Sequence, residues 1–253
     1  MTLLGAGLAL LVGLVLGLLG GGGSVLTVPV LIYALHVPVK QAIATSLCVV
    51  GLVAFIGFLT HARQKTVAIK AALAFGPFAV VAAYAGAILA RHIAATLQLI
   101  VFAVVGLAGS VMMFRGTSIK SSTPETTHFH FTADKRTLFF LALEGLAVGL
   151  LTGIIGVGGG FLIVPALVLV AKLPMRLAVG TSLLVITMNA LSGFAGYAGT
   201  IPIDWALVTW FTAVAALGSI TGTVFSKRVP QRQLRQAFGV LLMGVSLYVL
   251  YRR

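Results

Sequence analysis

Apolar residues fill this chain in long runs, and polar positions only punctuate them. Leu3 to Leu19 and Leu97 to Met113 contain no charge at all. Uninterrupted runs of about 17 to 25 apolar residues are the length that crosses a hydrocarbon core. The pattern predicts eight to ten such segments and leaves no room for a separate soluble domain. Two runs are unusually long, residues 3 to 35 and 137 to 171, and each is interrupted by glycines: LLGGGGS at 18 to 24 and IIGVGGG at 154 to 160. The only long polar stretch, residues 116 to 136, reads as a linker.

The interruptions belong to an internal duplication. A shift of 136 residues, without a gap, places Gly17, Gly20, Gly22, Gly23, Val28 and Pro29 on Gly153, Gly156, Gly158, Gly159, Val164 and Pro165. Pro38 falls on Pro174, and Thr45-Ser46-Leu47 on Thr181-Ser182-Leu183. Residues 13 to 62 give 20 identities in 50 positions. Shared Pro, Thr and Ser at one offset do not follow from apolar composition alone. The chain therefore reads as a first repeat, 1–115, a cytoplasmic linker, 116–136, and a second repeat, 137–253.

Composition supports the membrane reading. Charged residues make up 8% of the 253 positions, against about 25% in soluble proteins. The first run lacks a basic leader and a cleavage pattern, so it is expected to belong to the mature fold. The net charge of +13 fits Lys and Arg gathered in cytoplasmic loops better than nucleic-acid binding. Cys48 stands alone and predicts neither a disulfide nor a metal site.

Charge also orients the halves. If each long run crosses once, the 17 Lys and Arg divide 8 to 9. If each run folds back at its glycines, 13 fall on one side and 4 on the other. Only the second arrangement follows the positive-inside rule. It predicts an all-α polytopic fold of two inverted repeats, each with a glycine-broken first segment and three transmembrane helices. Both termini are then outside.

Freed backbone groups in lipid need protein or water as partners, and broken helices at matching positions of two halves point to a transporter site. Glycine lets backbone approach a ligand. A half-helix that starts just beyond it presents free N–H groups and a positive dipole end to an anion. The candidate binding residues are Gly20, Gly21, Gly22, Gly23 and Ser24 with Thr45 and Ser46. In the second half they are Gly156, Gly158, Gly159 and Gly160 with Thr181, Ser182 and Asn189. The competing use of such glycines is close helix packing, expected at Gly13, Gly17, Gly149 and Gly153; Ser and Thr can also bond their own helix. Asn189 and Ser192 have apolar counterparts, Val53 and Ile56, which makes the site asymmetric. Lys40, Arg176, Arg91 and Lys227 are expected to anchor at headgroups, and Trp205, Trp210, Tyr248 and Tyr251 to sit in the interfacial belt.

Glu144 is the one acid inside an apolar run, a functional candidate by position and a coupling group if it exchanges protons across the membrane. Enzymatic constellations are absent: four acidic residues form no catalytic pair, no HExxH occurs, and the first glycine cluster lacks the Lys-Ser/Thr of a phosphate loop. No catalytic residue, metal or cofactor is expected. The expected partners are a small anion and the bilayer, with a homo-oligomer left open.

GLLGGGGSVLTVPVL with ATSL, and GIIGVGGGFLIVPAL with GTSL, resemble the two signature repeats of the TauE/SafE family of sulfite and organosulfonate exporters. The resemblance covers both halves. It implies an inner-membrane permease for sulfite, thiosulfate, sulfoacetate or sulfolactate, driven by an ion gradient. Ala44 and Ser24 stand where the usual pattern has glycine. A permease for another small anion or metabolite, or a membrane scaffold, remains the alternative on the residues alone.

Overall fold

A computed structural model describes residues 3–115, 135–156, 159–169, 173–226 and 229–251. All described elements are helical. The first half holds α1 (Leu3–Leu19), α2 (Gly22–Pro29) running into a π-helical turn (Val30–Ala34), α3 (Val39–Arg63), α4 (Ile69–Ala90) and α5 (Ala95–Arg115). The second holds α6 (Lys135–Ile155), α7 (Gly160–Leu169), α8 (Met175–Tyr197), α9 (Trp205–Ser226) and α10 (Gln231–Tyr251). Each half thus has a broken first segment followed by three helices. The polar linker lies outside the described residues up to 134, as do Gly158, Lys172, Lys227 and Arg228; α6 opens at Lys135, just inside the expected linker boundary.

Four helices, α3, α4, α8 and α9, are long and apolar enough to cross a membrane. The first segments are shorter because they break. Gly20 and Gly156 take left-handed φ values of 70° and 77°, a conformation that costs glycine little and other residues more. Beyond them the chain turns back. A side chain on Gly23 would strike Val12 and Leu16 of α1, and one on Gly159 would strike Val148 and Thr152 of α6. In a continuous helix those positions would stand about 10 to 16 Å apart. With 17 residues, α1 is about 25 Å long, and α2 with its π turn about 20 Å. Each first segment is therefore a helical hairpin, and in the first half the return arm is too short to span a core of about 30 Å. The π turn comes directly after Pro29 and closes with Leu35 N–H donating to the Val30 carbonyl, five residues back, at 3.1 Å.

Helix packing in lipid relies on close backbone approach rather than on water exclusion. Gly13 and Gly17 of α1 seat directly on the backbone of Ala215 and Ser219 of α9, while Gly149 and Gly153 of α6 seat on Ala79 and Ala83 of α4. Both pairs run parallel, and they match at the 136-residue offset. The packing expected at these four glycines is what they do. The repeat-equivalent helices α3 and α8 face each other at the centre: Gly51 lies against Ala190 and Leu191, Gly57 against Leu183, and Gly193 against Leu47. The falling numbers show that α3 and α8 run antiparallel. α5 and α10 close the bundle through Ser110 Oγ, which donates to the Gly239 carbonyl at 2.9 Å.

Exposed apolar side chains, among them Val81 (68%), Leu217 (62%) and Phe78 (45%), face outward from the bundle. Such a surface matches a bilayer as solvent. Trp205 and Tyr251 are also exposed, and Tyr248 stacks edge-on against Tyr33. Lys40 and Arg91 depart from the expected headgroup anchors. Lys40 Nζ donates to the Arg91 carbonyl at 2.9 Å, and the Arg91 guanidinium donates to the Gly196 carbonyl. These contacts tie α3, α4 and α8 together at one end, using carbonyls left free at helix ends.

Candidate functional site

The two breaks meet. The backbone of Gly21 touches that of Gly160, and a methyl on either would overlap the other. Only glycine permits that approach. α2 begins at Gly22 and α7 at Gly160, so two half-helices start from one point. Gly21 provides α2 with no side-chain cap. N–H groups in the first turn of any helix have no partner inside it.

The surrounding helices treat the opposite polarity differently. At the ends of α1 and α6, carbonyl after carbonyl finds a side-chain donor. Tyr197 OH donates to Gly153 at 3.0 Å and Gln98 Nε2 to Ile154 at 3.1 Å. Ser46 Oγ donates to Gly156 and Thr223 Oγ1 to Gly17 at 3.4 Å; within the start of α2, Ser24 Oγ donates back to the Gly21 carbonyl at 2.6 Å. The negative ends of α1 and α6 are thus satisfied from outside, while the positive ends of α2 and α7 converge.

α3 and α8 wall the junction. Gly20 rests on Val179 and Ser182; Gly156 rests on Ile43. These contacts are equivalent at the 136-residue offset. Ile186 reaches Gly160, and Asn189 continues the same face of α8, three residues further on. Asn189 is fully buried, and neither its amide nitrogen nor its amide oxygen has a partner. Thr45 is also fully buried with an unpartnered hydroxyl. Buried polar groups are nearly always hydrogen-bonded; the Ser219 and Ser246 hydroxyls share this state, and Asn189 is distinguished by having both amide atoms unpartnered.

The sequence-derived candidates divide accordingly. Gly20, Gly21, Gly156, Gly160, Ser46 and Ser182 come together at the junction, with Asn189 on the same face. Gly22 sits in the first turn of α2 against Leu19 and Leu241. Gly23 and Gly159 serve the hairpin packing described above, and Gly158 lies outside the described residues. Ser46 and Ser182 both donate to their own helix, to Ile43 and Val179 at 2.8 Å. Thr181 accepts from Ala68 N–H at 2.9 Å. Glu144 stands twelve residues before Gly156 on α6, about 18 Å of helix, and is remote from the junction. Tyr197, Gln98 and His61 were not anticipated. Tyr197 and His61 share the repeat offset, and each is buried at the far end of its central helix; His61 Nδ1 lies 2.8 Å from Thr66 Oγ1. A polar pair at the repeat offset near two helix ends was the available signal.

A bundle of apolar helices around two broken, centrally meeting segments defines a multi-pass membrane protein of the transporter class. The chain belongs to the family described as sulfite exporter TauE/SafE, whose model matches residues 5–249. A protein of Xylella fastidiosa named "Probable membrane transporter protein" is 31% identical over 249 residues, which is 96% of this chain and 92% of that protein. "Probable membrane transporter protein YdhB" of Bacillus subtilis is 27% identical, covering 95% of this chain and 97% of its own. A relative from Methanocaldococcus jannaschii, also named a probable membrane transporter, is 27% identical over 96% of this chain and 94% of its own. No solved structure matches the chain. The protein is a membrane transporter and not an enzyme.

Proposed function

We propose that the chain is a secondary transporter that moves a small oxidised sulfur anion, such as sulfite or an organosulfonate, across the inner membrane. The observation that carries this reading is the meeting of the N-termini of α2, which has no side-chain cap, and α7, with the buried, unpartnered amide of Asn189 three residues beyond Ile186 on α8. A helix N-terminus attracts anions through its free N–H groups and its dipole, and a fully buried amide without partners is an invitation to a polar ligand. The family's description names sulfite, which supports this anion class. In this reading the halves are inverted repeats, supported by the antiparallel course of α3 and α8 and by the one-sided loop charge. Rocking of one half against the other would expose the junction to each side in turn. Glu144 is the proposed site of proton coupling.

The test is uptake of sulfite by proteoliposomes holding the purified protein, alongside thermal shifts across a panel of sulfite, sulfonates, sulfate, phosphate and chloride. Sulfite or sulfonate uptake with a matching thermal shift supports the reading. Stabilisation by phosphate or chloride alone would replace the substrate, and no uptake of any anion would end it.

A further inference from the structure

We propose that the α3–α4 loop is a latch, closed on Thr181, and that the α8–α9 loop forms the alternate latch on Thr45 in the opposite conformation. Each threonine is then occupied in turn. The inference rests on the transporter reading above, with its inverted repeats, and names the contacts that change as the halves rock.

One latch is made. Ala68, the residue before α4, donates its N–H to Thr181 Oγ1 at 2.9 Å. The Thr66 carbonyl lies so close to Gly180 that a methyl there would strike it. Thr66 is held in turn by the end of α3, its N–H and hydroxyl both donating to the His61 carbonyl at 3.1 Å. Gly180 and Thr181 stand between Val179 and Ser182, on which Gly20 of the first break rests. The loop therefore fastens the first half to the wall of the junction in the second. A contact that crosses between halves is one that rocking must break. Arg63, Lys65 and Lys70 flank this loop, which marks it as the cytoplasmic end in the inverted-repeat reading.

The other latch is not made. At the 136-residue offset Thr181 corresponds to Thr45, Gly180 to Ala44 and Ala68 to Asp204. Asp204 stands before α9 as Ala68 stands before α4. Thr45 is fully buried and its hydroxyl has no partner. Other buried hydroxyls share that state, but the twin of Thr45 shows which donor it lacks: the N–H of Asp204. The α8–α9 loop is already near, since Ile201 and Ile203 pack against the cluster that holds Ala44 and Tyr197. Because α3 and α8 run antiparallel, the two latches lie at opposite ends of the pair. The same asymmetry recurs between α5 and α10, where Ser110 donates to the Gly239 carbonyl and its twin Ser246 has no partner.

The residue before each threonine sets the balance. Gly180 admits the Thr66 carbonyl, whereas the Ala44 methyl holds off the equivalent carbonyl of Pro202. The latch at Thr45 is the weaker of the two.

The experiment uses the full-length protein in proteoliposomes, with Cys48→Ala as background. One variant carries Ala68→Cys and Thr181→Cys, a second carries Thr45→Cys and Asp204→Cys, and a third carries all four. A short bifunctional thiol reagent should join both pairs, the 45–204 pair at about a tenth of the rate or less, as befits a minor conformation. The third variant should show one cross-link or the other in each molecule and never both. Either cross-link should stop uptake of sulfite, or of whichever anion the parent protein takes up, and reduction should restore it. A 68–181 pair that joins while the 45–204 pair never does would overturn the inference. So would both cross-links in one molecule, or uptake that survives the 68–181 cross-link. Hydrogen exchange checks the same point with both threonines intact. Ala44→Gly should slow exchange over residues 200–204 and speed it over 64–68, and exchange that is unchanged, or that moves the same way in both loops, would also overturn it. Cross-linking and exchange need no substrate. Exclusive latches in a protein that takes up no anion would therefore end the proposed function and leave this inference standing.

Discussion

At the first break Gly20 turns left-handed against Val179 and Ser182; at the second Gly156 turns the same way against Ile43 and receives the Ser46 hydroxyl. Gly23 and Gly159 pack each return arm onto its own outward arm in the same manner. The two breaks therefore share a left-handed glycine and a packing glycine at the repeat offset, while Gly159 is also left-handed where Gly23 is already helical. Their side-chain chemistry differs. The second break has Asn189, Tyr197 and Gln98 where the first has Val53, His61 and Leu234. Backbone geometry fixes where two helix N-termini can meet, and duplication preserves it. Recognition of a small, unsymmetrical ligand needs only one set of polar groups, and duplication leaves the other copy free to diverge.

The largest expected effect comes from breaking what the two halves share. Gly160→Leu should abolish substrate binding, because its side chain would occupy Gly21 and Ile186. Gly7→Leu is the insertion control, since nothing lies within 4 Å of that position. Thermal shifts with sulfite read both variants; retained sulfite stabilisation in Gly160→Leu would mean that contact of the breaks is not required. A smaller effect should follow from what the halves do not share. Asn189→Leu removes a hydrogen bond to a charged ligand, worth about 1.5 to 3 kcal/mol, and should lower sulfite affinity by roughly 10- to 100-fold. Val53→Leu, at the equivalent place, should change it little. Equal losses at both positions would erase the proposed asymmetry.

The duplication, the breaks and the fold-back were all legible in the sequence for physical reasons. Clustered glycines interrupt a helix because they lack a side chain and take left-handed φ at little cost, whereas the lone prolines Pro77 and Pro165 are carried inside α4 and α7. The division of labour among the glycines was not legible. Gly21 and Gly23 look alike in sequence, yet one faces the other half and the other faces its own hairpin, a distinction made only by the crossing of α2 and α7. Tyr197 and Gln98 were missed for a related reason. They cap carbonyls on a helix 44 and 56 residues away, and no local pattern encodes such a partner. Lys40 and Arg91 read as headgroup anchors because sequence gives their depth and not the carbonyls beside them.

A third comparison separates stability from binding at the equivalent threonines. Thr181 accepts the Ala68 N–H, so Thr181→Val should orphan a donor and cost about 1 to 3 kcal/mol. Thr45 has no partner for its hydroxyl. Thr45→Val should leave the melting temperature in the absence of substrate unchanged or raise it slightly, while weakening sulfite binding a few-fold. Matching falls in melting temperature for the two variants would show that Thr45 has a structural partner after all.

The smallest effect on affinity is expected at Glu144, and it tests whether the halves also differ in coupling. Its repeat equivalent is Leu8, which lines an apolar groove with Pro29, Tyr33 and Tyr248. Glu144 is half-buried on α6, its Oε2 without a hydrogen-bond partner. It lies about 18 Å along the helix from Gly156, too far to touch an anion at the junction. An acid at that depth can still matter by exchanging a proton with each side in turn. Glu144→Gln keeps the volume and removes the exchange. Sulfite affinity of the variant should match the parent protein, because the junction is untouched. Uptake by proteoliposomes should separate the two: the parent accelerates when a pH gradient is imposed, and Glu144→Gln transports at one rate with or without it. A variant that responds to the gradient like the parent makes Glu144 a structural acid and moves coupling elsewhere. A variant that loses affinity as well would place the carboxyl nearer the anion than its position on α6 allows, and would reopen the geometry of the junction itself.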